Sequence, residues 1–265
     1  MPSILALTIV LAVLMMIFGG KQGTSSFFSV LLNFGILFVT VILISSGFPP
    51  LLVSLFAGIC ILATTIYMGN SDDRSTNIAF EATIIVLVVM IIMIVPMDHW
   101  AQIKGFSTEQ SDEIEAFNLL IGINFEKLAI STAILSTLGA ISEAAIAISS
   151  GLQEIIDQNP DITKKKLYQS GSNIGSQIMG MTFNTLFFGM FGSDLALFVL
   201  LAKVHAGIGY CINAKIFVSE CMLVLYSAVA VICVIMIITT FLMAHRLEKQ
   251  QKAEATNKVK EKTED

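Results

Sequence analysis

Glu143 is the residue whose type and setting most demand a chemical explanation. It lies within Leu138-Gly-Ala-Ile-Ser-Glu-Ala-Ala-Ile-Ala-Ile-Ser-Ser-Gly151, an apolar and small-residue stretch with no other charge. An acidic side chain at the centre of a spanning helix costs about 2.5 to 3.5 kcal/mol on a translocon-type scale. Such a group must face protein or water, find a donor, or carry a proton. Ionisable groups at depth are functional by default, so proton or cation binding is the chemistry expected here. Further along, Asn173, Gln177, Gly180 and Asn184 recur at steps of four, three and four and share one helical face, with Ser176 and Thr182 nearby. Amides on that face can donate to a carboxylate on a neighbouring span. The expected substrate- or proton-binding set is therefore Glu143, Asn173, Gln177, Asn184, Ser176 and Thr182. A purely structural role stays open for each of them, since interhelical hydrogen bonds of this kind contribute about 0.6 kcal/mol.

Small residues mark the seam expected to hold this set. Ser136, Ala140, Ala144, Ala147 and Gly151 follow one another at steps of four, four, three and four. Small side chains at this spacing let a second helix approach closely. With Gly175 and Gly180 of the following span, they are the expected helix-packing positions. Glu143 is three residues past Ala140 and four before Ala147, which predicts that it points into the protein on the same side.

No catalytic residue is expected. The chain has no HExxH, no GxSxG and no second acid at depth beside Glu143, so an enzyme is disfavoured. His99, His205 and His245 are scattered, and Cys60, Cys211, Cys221 and Cys233 form no CxxC pair, so neither a metal centre, a cofactor nor a disulfide framework is expected. No basic patch with interleaved aromatics supports nucleic-acid binding.

The elements that must position these residues are membrane helices. The 265 residues are 55% hydrophobic and only 13% charged, with a mean hydropathy of +0.82, against about 25% charged in soluble domains. Runs near the required length of about 20 apolar residues are 3–18, 27–46, 51–68, 78–97, 128–150 and 215–244. The first run begins at once, without a positive flank or cleavage site, and reads as a retained span. Residues 172–205 would reach about 51 Å as one helix, too long for a hydrocarbon core of about 30 Å. A break is expected at Gly192-Ser193-Asp194, leaving Asn173–Phe191 as a span and Asp194–Lys203 as a half-helix.

Lys164-Lys165-Lys166 and the Lys/Arg-rich tail are the strongest cytoplasmic signals. Placing both inside predicts an all-α polytopic bundle of seven spans plus a short half-helix, N-terminus out and C-terminus in; the alternative has eight spans. The organisation follows: 1–97 an N-terminal four-span unit, 98–127 an external connector, 128–245 a C-terminal membrane unit, and 246–265 a charged, disordered cytoplasmic tail. Phe106–Asn118 reads as a short surface helix, Trp100 as an interfacial anchor, and Glu220 as a solvated helix end. Asn159-Pro160 is expected to stop the fifth span, with a short helix carrying Ile162, Leu167 and Tyr168 after it.

Three pieces together resemble the YibE/F family of bacterial multispan membrane proteins: Leu138–Gly151, Asn159-Pro160, and Ser170-Gly-Ser-Asn-Ile-Gly-Ser-Gln-Ile-Met-Gly-Met-Thr-Phe-Asn-Thr-Leu186. The likeness covers about 120–245, and the first half matches only as apolar spans. The resemblance implies an acid at position 143, which Glu143 keeps, and an aspartate at position 177, where this chain has Gln177. A two-carboxylate mechanism is weakened accordingly. It also implies a short member in the bacterial cytoplasmic membrane, with a longer membrane protein of the family, or a second copy, as partner beside the lipid bilayer. The function expected is a transporter or permease component with an intramembrane carboxylate; the alternative is a non-catalytic membrane subunit or assembly scaffold.

Overall fold

A computed structural model describes residues 2–69, 73–101, 124–203, 207–244, 248 and 251. Among them every regular element is helical. Helix α1 (Pro2–Ser45) has 44 residues, twice what a span requires at about 20. It divides at Gly20, whose φ of 53° and ψ of −130° suit a residue without a Cβ. The chain doubles back there, so a Cβ on Gly23 would collide with the Met15 carbonyl. Two arms result, 2–19 and 21–45, with the turn inside the predicted Gly19–Gly23 segment.

Polar contacts hold the second arm on α2 (Pro50–Gly69). The Gln22 amide donates to the Met68 carbonyl at 3.2 Å, the Ser29 hydroxyl to the Thr64 carbonyl at 3.1 Å, and the Asn33 amide to Thr65 Oγ1 at 2.7 Å. Asn33 Oδ1 accepts from the Thr64 hydroxyl in return. Hydroxyls and carbonyls of α2 thus partner these amides in a setting where an unpaired one is costly.

Helix α3 (Asp73–Ala101) runs back, and α4 (Phe125–Gln158) follows, opened by Asn124, whose side chain accepts from the Lys127 N–H at 3.2 Å. Helix α4 occupies the centre of the bundle. It packs on α2, on α3, on α5 (Lys164–Ser193) and on α8 (Lys215–Ile237). Ile134, Ile141, Ile148 and Leu152 of α4 meet Leu87, Met90 and Ile94 of α3 and Val231 and Val234 of α8 in one buried cluster. Helix α4 ends at Gln158, where Asn159-Pro160 is expected to stop it.

Helix α5 begins at Lys164 and runs unbroken for 30 residues. The short helix expected after Pro160 and the span expected from Asn173 are thus one element. Nothing between them breaks a helix, since glycine is tolerated in membrane helices. Gly171 and Gly175 set the α5–α8 distance: a Cβ on either would strike Thr239 or Ile235.

The expected break falls at Asp194, where α5 and α6 (Leu195–Lys203) meet at a 57° bend. Phe198 stacks on Phe191 at 5.0 Å and on Phe217 of α8 at 5.9 Å. Helix α6 therefore veers off beside the start of α8 at that end of the bundle, where the short α7 (Ile208–Asn213) also contacts α8. Helix α8 continues into a π-helical turn over Ile238–Leu242. At the opposite end Lys164 pairs with Glu248. Phe106–Asn118 and most of the 246–265 tail lie outside the described residues.

Candidate functional site

Where the end of α3 meets the starts of α4 and α8, the bundle forms an open cavity of about 310 Å³. Asp98 comes from the last turn of α3, Phe125, Leu128 and Thr132 from α4, and Lys215, Ser219, Glu220 and Tyr226 from α8. Asp98 is only 5% exposed and Tyr226 only 3%. The Tyr226 hydroxyl donates to Asp98 Oδ1 at 2.7 Å. An ionised carboxylate offers about four acceptor sites on two oxygens, so Asp98 keeps capacity for a donor entering the cavity. Glu220 is half-buried in the same wall, close enough to Asp194 at the α5–α6 bend to be repelled by it. His99 Nδ1 lies 2.8 Å from Glu126 Oε1 and ties the end of α3 to the first turn of α4. The cavity is acidic on balance and mixed in lining: Asp98, Glu220 and hydroxyls share it with Lys215 and with Phe125, Leu128, Met222 and Leu223.

Sequence reasoning missed this cavity. It set Asp98 among the acids of an external connector and Glu220 at a solvated helix end. Glu220 is instead half-buried, and Asp98 accepts a hydrogen bond from Tyr226, which is distant in sequence. The one signal was an aspartate closing an apolar helical run just after Pro96. Trp100 is 82% exposed, as an anchor would be. No cluster of three or more metal-ligating side chains occurs among the described residues.

The structure puts Glu143 elsewhere than the interior. It is exposed, in line with Thr132, Ser136, Gly139 and Ala147, while Ile134, Thr137, Ile141, Ala144, Ala145 and Ile148 are buried behind it. Ala140 and Ala144 pack as expected; Ser136 and Ala147 do not. The cause is angular. At about 3.6 residues per turn, Glu143 stands about 60° from Ala140 and about 100° from Ala144. The small-residue stripe straddles the border between the buried and the open arc, and Glu143 falls on the open side.

Helix α5 repeats the pattern. Gly171, Gly175, Ile178 and Thr182 are buried toward α8, whereas Asn173, Ser176, Gln177, Gly180 and Asn184 are exposed. Thr182 is thus separated from the amides expected beside it. Gly180 is no packing position, since a Cβ there would meet nothing within 4 Å. Gly151 is one, with Ile174 Cδ1 3.4 Å from where its Cβ would stand. The Asn184 amide donates to the Gly180 carbonyl of its own helix at 3.0 Å, and Ser176 donates to the Ser172 carbonyl at 2.9 Å. Among the described residues, Glu143, Asn173 and Gln177 make no hydrogen bond, so no amide of α5 reaches Glu143. Asn173 lines a separate cleft of about 760 Å³ at the α4–α5 turn, with Asp161, Lys166 and Gln169.

Five helices among the described residues are long and apolar enough to cross a membrane, or six if the bent α5–α6 pair is counted as one span. Helix α1, counted once, folds into two arms. This architecture defines a multi-pass integral membrane protein. Residues 7–249 match the YibE/F-like protein family, and the chain belongs to it. The match takes in α1, α2 and α3, which sequence reading left as generic spans. No curated protein and no solved structure matches the chain.

Proposed function

We propose that the chain is a transport component of the bacterial cytoplasmic membrane that binds a small positively charged solute in the Asp98–Tyr226 cavity. It moves the solute without making or breaking covalent bonds. The observation that carries this reading is a carboxylate held 95% buried, with one neutral donor on it, inside a cavity beside a broken helix. Ionisable groups within membrane helices mark solute or proton pathways by default, and discontinuous helices are recurrent parts of transport sites. The mixed lining suits an organic ammonium group: Asp98 and Glu220 outnumber Lys215 and meet the charge, and the aromatic and aliphatic side chains take the alkyl part.

The test is uptake of radiolabelled methylammonium into proteoliposomes of the purified full chain, with rubidium as the inorganic comparison. Asp98→Asn is expected to abolish uptake and Glu220→Gln to reduce it. Uptake by Asp98→Asn equal to wild type would remove the cavity from the mechanism. Rubidium uptake without methylammonium uptake would replace the ammonium class by a bare cation.

A further inference from the structure

We propose that a second copy of this chain closes the open face of α4 and α5, so that the functional unit is a homodimer with Glu143 at its interface. The proposal is independent of the cavity, which lies at the α3–α8 side of α4.

The open face is one surface. Helices α4 and α5 are antiparallel neighbours in contact near Gly151 and Ile174, and both also pack on α8. With α8 against one flank of the pair, the opposite flank is open on both helices. Counting back two turns from Gly151 reaches Glu143, and counting forward two turns from Ile174 reaches Thr182. Gly180 and Asn184 therefore stand at the depth of Glu143. Glu143 is also at the midpoint of α4, whose ends are Phe125 and Gln158. The flank thus presents a carboxylate, two amides and the gaps at Gly139 and Gly180 where lipid tails would otherwise lie.

A soluble segment of the chain does not fit that surface. The stretch 102–123 and the tail 252–265 contain no apolar run of span length, and 102–123 carries Glu109, Asp112, Glu113 and Glu115, the same sign as Glu143. What fits is a membrane surface with amide donors for a carboxylate and a carboxylate for amide donors. This face has both. A two-fold axis pairs position i of one copy with j of the other and j with i. It brings Glu143 of each copy to Gln177 and Asn184 of its mate, while the small residues of both let the backbones close.

The experiment uses the full chain with its four native cysteines replaced, reconstituted in liposomes. Protomers carrying Glu143→Cys are mixed with protomers carrying Asn184→Cys and mildly oxidised. A disulfide between the two protomers is expected. Adding Gly139→Leu or Gly180→Leu is expected to abolish it while leaving the thermal unfolding midpoint of the protomer unchanged, because a Cβ at either position would meet nothing within 4 Å. Three results would each overturn the proposal. One is a single bleaching step per labelled particle at every lipid dilution. Another is a cross-link that survives both leucine wedges. The third is Glu143→Cys capturing a different protein from native membranes while the purified chain stays monomeric.

Discussion

The hydrogen bond from Tyr226 to Asp98 joins α8 to α3 across a wall of the cavity, and it separates two roles that one mutation would blur. Tyr226→Phe leaves a buried carboxylate without its donor. The cost expected is about 1–3 kcal/mol, read as a lower unfolding midpoint in detergent. Asp98→Asn keeps an acceptor for the hydroxyl and removes only the charge, so the midpoint is expected to hold within about 1 kcal/mol while uptake is lost. A structural Asp98 would give the reverse: lost stability and retained uptake. Sequence could identify Glu143 as an unusual residue from its type and neighbours alone. It could not fix the side on which Glu143 faces, because that is set by which arc of α4 its neighbours occupy, and a difference of about 60° decides the matter. Asp98 shows the converse. Its type was ordinary for a helix end, and only the long-range contact with Tyr226 makes it notable.

Glycines show at the scale of the element what spacing can and cannot reveal. Gly175 was legible as a packing position, and it lies under α8, with Gly171 under the π-helical turn that continues it. Gly180 continues the same helix but faces away from every neighbour. Gly175→Val is therefore expected to push α5 from α8 and destabilise the protein by about 1–3 kcal/mol, as overpacking does. Gly180→Ala is expected to change the protomer's unfolding midpoint little, in the same detergent assay. Equal losses at both sites would mean that the α5–α8 seam is not where the helix is held. The contacts of α1 with α2 were not legible in the sequence, because Gln22 sits in the polar turn 19–26, Ser29 and Asn33 sit singly in an apolar run, and their partners on α2 are hydroxyls and carbonyls. Asn33→Leu is expected to cost about 0.6 kcal/mol, the usual worth of such a bond.

For the molecule as a whole, the bend at Asp194 decides at which end of the bundle everything after it lies. An α6 that crossed would set the start of α8 at the Lys164 end and the tail at the other. Instead Phe198 lies against Phe217, and Asp194 lies near Glu220, so α5 arrives and α8 departs at the same end. The pairing of Lys164 with Glu248 then follows, because two passes separate them. The length of 172–205 made a break legible, but length alone left open whether the second piece crossed; the aromatic stack supplies the answer. If positive charge marks the cytoplasmic face, the cavity lies at the outer end of the bundle, and the proposed transport role would then have solute reach Asp98 from outside the cell. Single-cysteine variants test this in intact cells with a membrane-impermeant maleimide. Trp100→Cys and Asn124→Cys are expected to react, and Lys165→Cys and Gln251→Cys only after permeabilisation. Reaction of Lys165→Cys and Gln251→Cys in intact cells would invert the orientation and make the cavity a cytoplasmic site. Reaction of one of that pair without the other would break the two-pass arrangement itself.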